Sequence, residues 1–169
     1  MKQGSNLRER IVNTALDIAE NQGFQVLTQP RIAKTAAIRQ SHLTYYFPRK
    51  ADLFAAMLEA SHRRIELNAD DPVLLLQDLI TNRKRMRFFL GVILELSEES
   101  ELYKILEKHA SHLILAIASH FNRLPEDQAV INFVDHARGI GIRRLISSVD
   151  DPSQDVNLYD IAQKWGLSR

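Results

Sequence analysis

The chain has 169 residues, 45% hydrophobic and 25% charged, with a formal net charge of +1, the balance of a globular protein with one substantial core or two small units. It holds no cysteine, which excludes disulfides and thiolate metal sites and gives no sign of secretion. The opening MKQGSN is polar and every apolar run is short, so neither a signal peptide nor a membrane span is expected and the protein is read as cytoplasmic.

The charge is unevenly spread. Residues 1–50 carry eight Lys/Arg against three Asp/Glu, while residues 51–169 carry fourteen against eighteen. A basic head on an acidic body suits a polyanion-binding module joined to something else. The spacing of Leu7, Ile11, Ala15, Ile18 and Ala19 predicts a first helix over 7–21, stopped by Gly23. Thr28 is placed to cap a short helix from Gln29 to Thr35, where Pro30 is tolerated because first-turn N–H groups have no helical partner. A second short helix is expected over 40–46 and closed by Pro48. A longer helix over 51–68, with Phe54, Met57 and Leu58 on one face, links this unit to the rest. Further helices are expected near 73–81, 83–97, 101–121, 126–148 and 156–165, broken at NADDP (68–72), SEES (97–100), NRLPED (122–127) and SVDDPSQD (148–155). No alternating strand pattern appears, so the fold class is all-α with about nine helices.

The segment TQPRIAKTAAIRQSHLTYYFPRK at 28–50 carries the clearest chemistry. Ile38, Leu43 and Phe47 are spaced to face inward behind the second short helix. Arg39, Gln40, Ser41, His42, Thr44, Tyr45 and Tyr46 are left for the outer surfaces. Arginine suits guanine and glutamine suits adenine, and Thr44 suits either a thymine methyl or a phosphate. Tyr45, Tyr46 and Lys50 suit phosphate oxygens. A solvated polar face is the plainer reading of any such helix taken singly; the concentration of these groups in one segment favours a helix-turn-helix.

Residues 10–54 resemble the DNA-binding domain of the TetR family of bacterial transcriptional regulators. RIVNTALDIAENQGF at 10–24 is similar to that family's first helix, RIAKTAAI at 31–38 to its second helix and turn, and HLTYYFPRKADLF at 42–54 to its recognition helix and the start of the fourth. The resemblance implies DNA contacts at Thr28, Arg39, Gln40, Ser41, Thr44, Tyr45, Tyr46 and Lys50, with Arg31 nearby; His42 joins them from its place on the recognition helix. Several positions depart from the family's pattern. Pro30 stands where a basic residue is frequent, Thr44 where tyrosine is common, and Tyr46 where histidine is common. Ala37 stands where the turn usually has glycine, and a left-handed backbone there would cost about 1 kcal/mol.

The division expected is a DNA-binding domain over 1–50 and a C-terminal domain over 51–169. The resemblance implies that the latter dimerises and holds a small-molecule effector. For the dimer interface, the apolar surface of 126–148 and the last helix offer Ile131, Val134, Gly141, Ile142, Ile146, Tyr159 and Trp165, with Gly141 admitting a close partner helix; burial within one subunit is the alternative. For the effector, Phe88, Phe89, Tyr103, Leu106, His109, Leu113 and His120 are candidate lining residues, although histidines on an apolar stripe are more often satisfied internally. His109 and His112 lack a third ligand, so no metal site is expected, and RKRMR at 83–87 reads either as an anion attractor or as a solvated face. No glycine-rich phosphate loop or nucleophile arrangement stands out, so neither an enzyme nor a cofactor is expected. The reading is a dimeric regulator of double-stranded DNA with a near-palindromic operator, a repressor released by an effector, with a helical interaction module that no longer reads DNA as the alternative.

Overall fold

The computed structural model describes residues 2–66, 71–94, 101–147 and 156–168. Among them lie nine α-helices and one 3₁₀ turn and no strand, as the all-α pattern predicts. The helices are α1 (Lys2–Gln22), α2 (Gln29–Thr35), α3 (Gln40–Tyr46), α4 (Lys50–Glu66), α5 (Pro72–Thr81), α6 (Arg83–Leu94), α7 (Glu101–His120), α8 (Gln128–Ile146) and α9 (Leu158–Lys164). The 3₁₀ turn, Phe24–Val26, had no counterpart in the sequence reading. The expected breaks at 97–100 and 148–155, and residues 68–70 of NADDP, lie outside the described residues.

Helix ends follow local chemistry. Asp71, Asp127 and Asn157 cap α5, α8 and α9 by accepting first-turn N–H groups, which satisfies donors that a helix cannot serve itself. At the other end, α7 and α9 close on left-handed residues, Asn122 (φ 53) and Gly166 (φ 73). Arg123 N–H then donates to Ala118 O at 2.8 Å, and Leu167 N–H to Ala162 O at 2.9 Å, each satisfying a terminal carbonyl.

The chain forms two compact units, the first comprising Met1–Arg64 with Arg87–Ile105 and the second Ile65–Met86 with Leu106–Arg169. The first unit therefore runs past residue 50 and takes in much of α4. In it, α1 buries Ile11, Val12, Ala15, Leu16, Ile18 and Ala19. Phe24 packs edge-on against Phe54 at 5.3 Å and stacks on Phe88 at 5.7 Å. Gly91 makes room for it, since a Cβ there would overlap the Phe24 ring. Arg64 ties α4 to α1 by donating to Asn13 (3.1 Å), Asp17 (3.0 Å) and Glu20 (3.4 Å).

The second unit has its own core. Val73, Leu76 and Ile80 of α5 meet Ile117 and Phe121 of α7, Phe133, Val134 and Ala137 of α8, and Leu158 and Ala162 of α9. A polar chain borders it: the Tyr159 hydroxyl donates to Asp71 Oδ2 and lies 3.0 Å from His120 Nε2. Asp71 is thus cap and acceptor at once. Burial works to raise its pKa, but the hydrogen bond from Tyr159, the Leu74 and Val73 N–H groups and the neighbouring His120 outweigh it, and the net shift is downward. Two of the four cations in the basic run at 83–87 are spent within this unit's own structure. Arg83 donates to Leu145 O and Ser147 O, both at 3.0 Å, at the end of α8, and Arg85 pairs with Asp78.

Candidate nucleic-acid interface

The turn between α2 and α3 is set by a left-handed residue. Ala37 has φ 51, and this lets Ile38 N–H donate to Ala33 O (3.0 Å) and Ala37 N–H to Lys34 O (3.2 Å). The cap ends α2 abruptly and redirects the chain so that α3 begins three residues later. Thr28 starts α2 by accepting from Arg31 N–H at 3.4 Å, and its hydroxyl proton is still available to donate. Behind α3, Leu43 and Phe47 are almost wholly buried and Ile38 is half-buried, so one face of this seven-residue helix is fixed by packing.

The opposite face is polar and open. Arg39, Gln40, Ser41, His42, Thr44 and Tyr45 are exposed and Tyr46 is half-buried. Tyr45, at 81% exposure, has its ring edge-on to Tyr46 at 5.3 Å. Thr28 and Lys50 are exposed as well, the Lys50 ammonium lying 5.1 Å from the centre of the Phe54 ring. Arg31 is exposed, but its guanidinium donates to Gln22 at the end of α1. Arg49 forms a two-pronged pair with Asp52 (3.0 and 2.6 Å), and this hydrogen bond draws the Asp52 carboxyl below its usual range. Arg49 therefore helps to fix the start of α4.

One cation escaped the sequence reading. Arg8 of α1 is exposed and lies over the ring of Phe47 at 5.1 Å, which sets it beside the residue that ends α3. Its place in α1 is legible from the sequence, but its approach to α3 is a tertiary fact that no local spacing encodes.

The other candidate residues fall into different settings. Phe88, Phe89 and Tyr103 belong to the first unit, and Leu106, His109, Leu113 and His120 to the second. Phe88 is committed to the stack on Phe24, Phe89 is half-buried, and Tyr103 is exposed. His109 and Leu113 are half-buried and Leu106 is buried; His120 has found the partner its burial demands in Tyr159. Among the interface candidates, Val134 and Gly141 require correction. Both lie inside the second unit's own core, and a Cβ on Gly141 would stand 3.1 Å from Ile80 and Met86. The close approach that glycine permits is thus made within the chain. Ile131 is half-buried, and Tyr159 is held by Asp71 and His120. Ile142, Ile146 and Trp165 are exposed, with Trp165 Nε1 donating to His136 at 3.1 Å. Among the described residues no group of three or more His, Asp or Glu is placed to hold a metal, and no helix is long and apolar enough to cross a membrane.

Residues 11–57, from the buried face of α1 to the first turns of α4, match the family model described as bacterial regulatory proteins, tetR family. The N-terminal unit carries a tetR-family domain. The likeness of fold extends over nearly the whole chain. A transcriptional regulator from Rhodococcus superposes with a TM-score of 0.71 at 13% identity, covering 94% of each chain. The multidrug binding protein EbrR, complexed with malachite green, gives 0.69 at 16% identity over 94% of this chain and 96% of its own. NalD of Pseudomonas aeruginosa, the secondary repressor of the MexAB-OprM multidrug efflux pump, gives 0.56 at 16% identity over 96% and 95%. No curated protein matches the chain. At these identities the solved structures establish a shared fold, all-helical with an N-terminal helix-turn-helix.

Proposed function

We propose that the chain is a cytoplasmic, dimeric transcriptional repressor that binds a near-palindromic operator through α3 and is released from it by a small-molecule effector. The observation that carries this reading is the α2–α3 unit. A left-handed turn fixes α3, Leu43 and Phe47 anchor its back, and Arg39, Gln40, Ser41, His42 and Thr44 stand on the solvent side. Such a helix, short and rigidly backed, is what major-groove reading requires. Tyr45, Tyr46, Lys50, Thr28 and Arg31 supply hydroxyls and cations for the phosphates. Two copies paired through the exposed apolar residues Ile142, Ile146 and Trp165 would present two α3 helices to one operator.

The effector half of the proposal draws on the neighbours, one named as a multidrug binding protein and one as a repressor of an efflux pump. Leu106, His109 and Leu113 of α7 are the residues in the second unit that such a ligand would meet. For release, the ligand must favour the non-binding arrangement by several kcal/mol.

Footprinting on DNA upstream of its own gene, with a salt titration, tests the reading. A protected near-palindrome and a steep fall of log affinity with log salt are expected. Lys50→Ala should make that slope shallower by about 2 for a dimer, one phosphate contact being lost per copy. A flat salt dependence with no protected site would instead favour a helical interaction module.

A further inference from the structure

We propose that Gln29 positions Gln40 to read an adenine, and that Thr44 reads a thymine through its methyl group, so that the operator half-site carries two A·T pairs within about two steps of each other. This rests on the reading of α3 as the helix that enters the groove.

Thr44 Oγ1 donates to the Gln40 backbone carbonyl at 3.1 Å. A hydroxyl has one proton, and a phosphate oxygen offers only lone pairs. With that proton committed to the helix, Thr44 is not a phosphate donor, and its Cγ2 methyl is left as the contact group of an exposed side chain. The apolar feature of the major groove is the C5 methyl of thymine.

Gln40 is constrained on its other side. Its Nε2 donates one hydrogen to Gln29 Oε1 at 3.4 Å, across the turn from α2. The amide keeps a second N–H and the carbonyl oxygen, a donor beside an acceptor. Adenine presents the complement, an acceptor at N7 and a donor at N6, whereas guanine presents acceptors at both places and would set its O6 against the Gln40 oxygen. Holding the amide before DNA arrives also reduces the side-chain freedom lost on binding. Gln40 opens α3, the end whose residues meet base edges, and Thr44 follows one turn later, about 5–6 Å away on the same face. That distance corresponds to one or two base-pair steps.

Selection of the full chain against a pool of randomised duplexes tests this, with Thr44→Val, Thr44→Ser and Gln29→Met run in parallel and each variant's fold checked by its melting temperature. The wild type should enrich half-sites with the two A·T pairs. Thr44→Val, which keeps the methyl groups and lacks the hydroxyl, should retain the thymine preference, and Thr44→Ser should lose it. Gln29→Met should relax adenine over guanine by about fivefold or more, the weight of one good base contact. Retention by Thr44→Ser with loss in Thr44→Val would show that the hydroxyl is the reader and overturn the proposal. Enrichment of guanine opposite Gln40, or an unchanged preference in Gln29→Met, would overturn its glutamine half. If the wild type enriches no sequence at all, it is the DNA-reading function itself that fails.

Discussion

Ala37 sits at φ 51, in a region that disfavours any side chain with a Cβ by about 1 kcal/mol or more. Two hydrogen bonds across the turn hold it there, from Ile38 N–H to Ala33 O and from Ala37 N–H to Lys34 O. Ala37→Gly removes the steric conflict and leaves both bonds in place. The variant should therefore gain about 1 kcal/mol, part of it offset by the greater freedom of glycine in the unfolded chain. Urea denaturation gives the comparison, and a midpoint lower than wild type would mean that the turn carries no such strain. The strain was legible from the sequence, because an alanine stood where the resembled motif places glycine. The partners of Gln40 and Thr44 were not. A side chain that bonds to Gln29 eleven residues earlier, or back onto its own helix, leaves no mark in composition or spacing.

Among the elements, those whose ends are chemically marked were the easiest to place. The spans of α2 and α3 follow from Thr28 and Pro48, and those of α5 and α8 differ from the expected ones by no more than two residues at either end, because Pro72 and the caps fix their starts. The 3₁₀ turn at Phe24–Val26 was not legible. Three residues are too few to show a period, and its reason lies in the packing of Phe24 between Phe54 and Phe88 against Gly91. Gly91→Ala forces that ring to move and should destabilise the first unit by about 1–3 kcal/mol, the usual cost of overpacking. Combining it with Phe24→Leu should recover part of the loss in a double-mutant cycle; strictly additive effects would show that the two residues do not share the space.

In the second unit, the join of α5 to α9 turns on Asp71. Its folded pKa is depressed, so its charge contributes stability that is complete above the ordinary carboxylate range and disappears as pH falls through the lowered folded value. Asp71→Asn keeps an N-cap and an acceptor for Tyr159 but removes the charge. It should cost about 1 kcal/mol at pH 7, the difference between a charged and a neutral acceptor. The gap should begin to narrow as the pH falls past the ordinary carboxylate value of about 4 and close only below the lowered folded value, where the wild-type carboxyl is neutral too. Chemical denaturation at pH 7 and at a series of lower pH values measures both, and a gap that does not narrow as the pH falls would show that the charge is not what Asp71 contributes.

For the whole molecule, the proposed dimer turns on which apolar residues of α8 a single chain leaves uncovered. Val134 and Gly141 are used up inside the second unit, but Ile146 is 86% exposed and Ile142 48%. Two large β-branched side chains one turn apart in water suggest a surface that another copy covers, and a stable joint needs such residues within a patch burying about 1,000 Å² or more in total. Ile146→Asp separates the two demands on this helix. Because the side chain is already solvated in one chain, the substitution should leave the fold of each unit within about 0.5 kcal/mol of wild type. Placed in a joint between copies, the same carboxylate would be desolvated without a partner, and the dimer should dissociate. Sedimentation should then show the wild type at twice the chain mass of 19.4 kDa and the variant at that mass, with operator affinity lost in step because one α3 spans one half-site only. A wild-type protein that sediments as a single chain, or a variant that remains paired, would place the joint elsewhere and leave Ile142 and Ile146 as ordinary exposed residues.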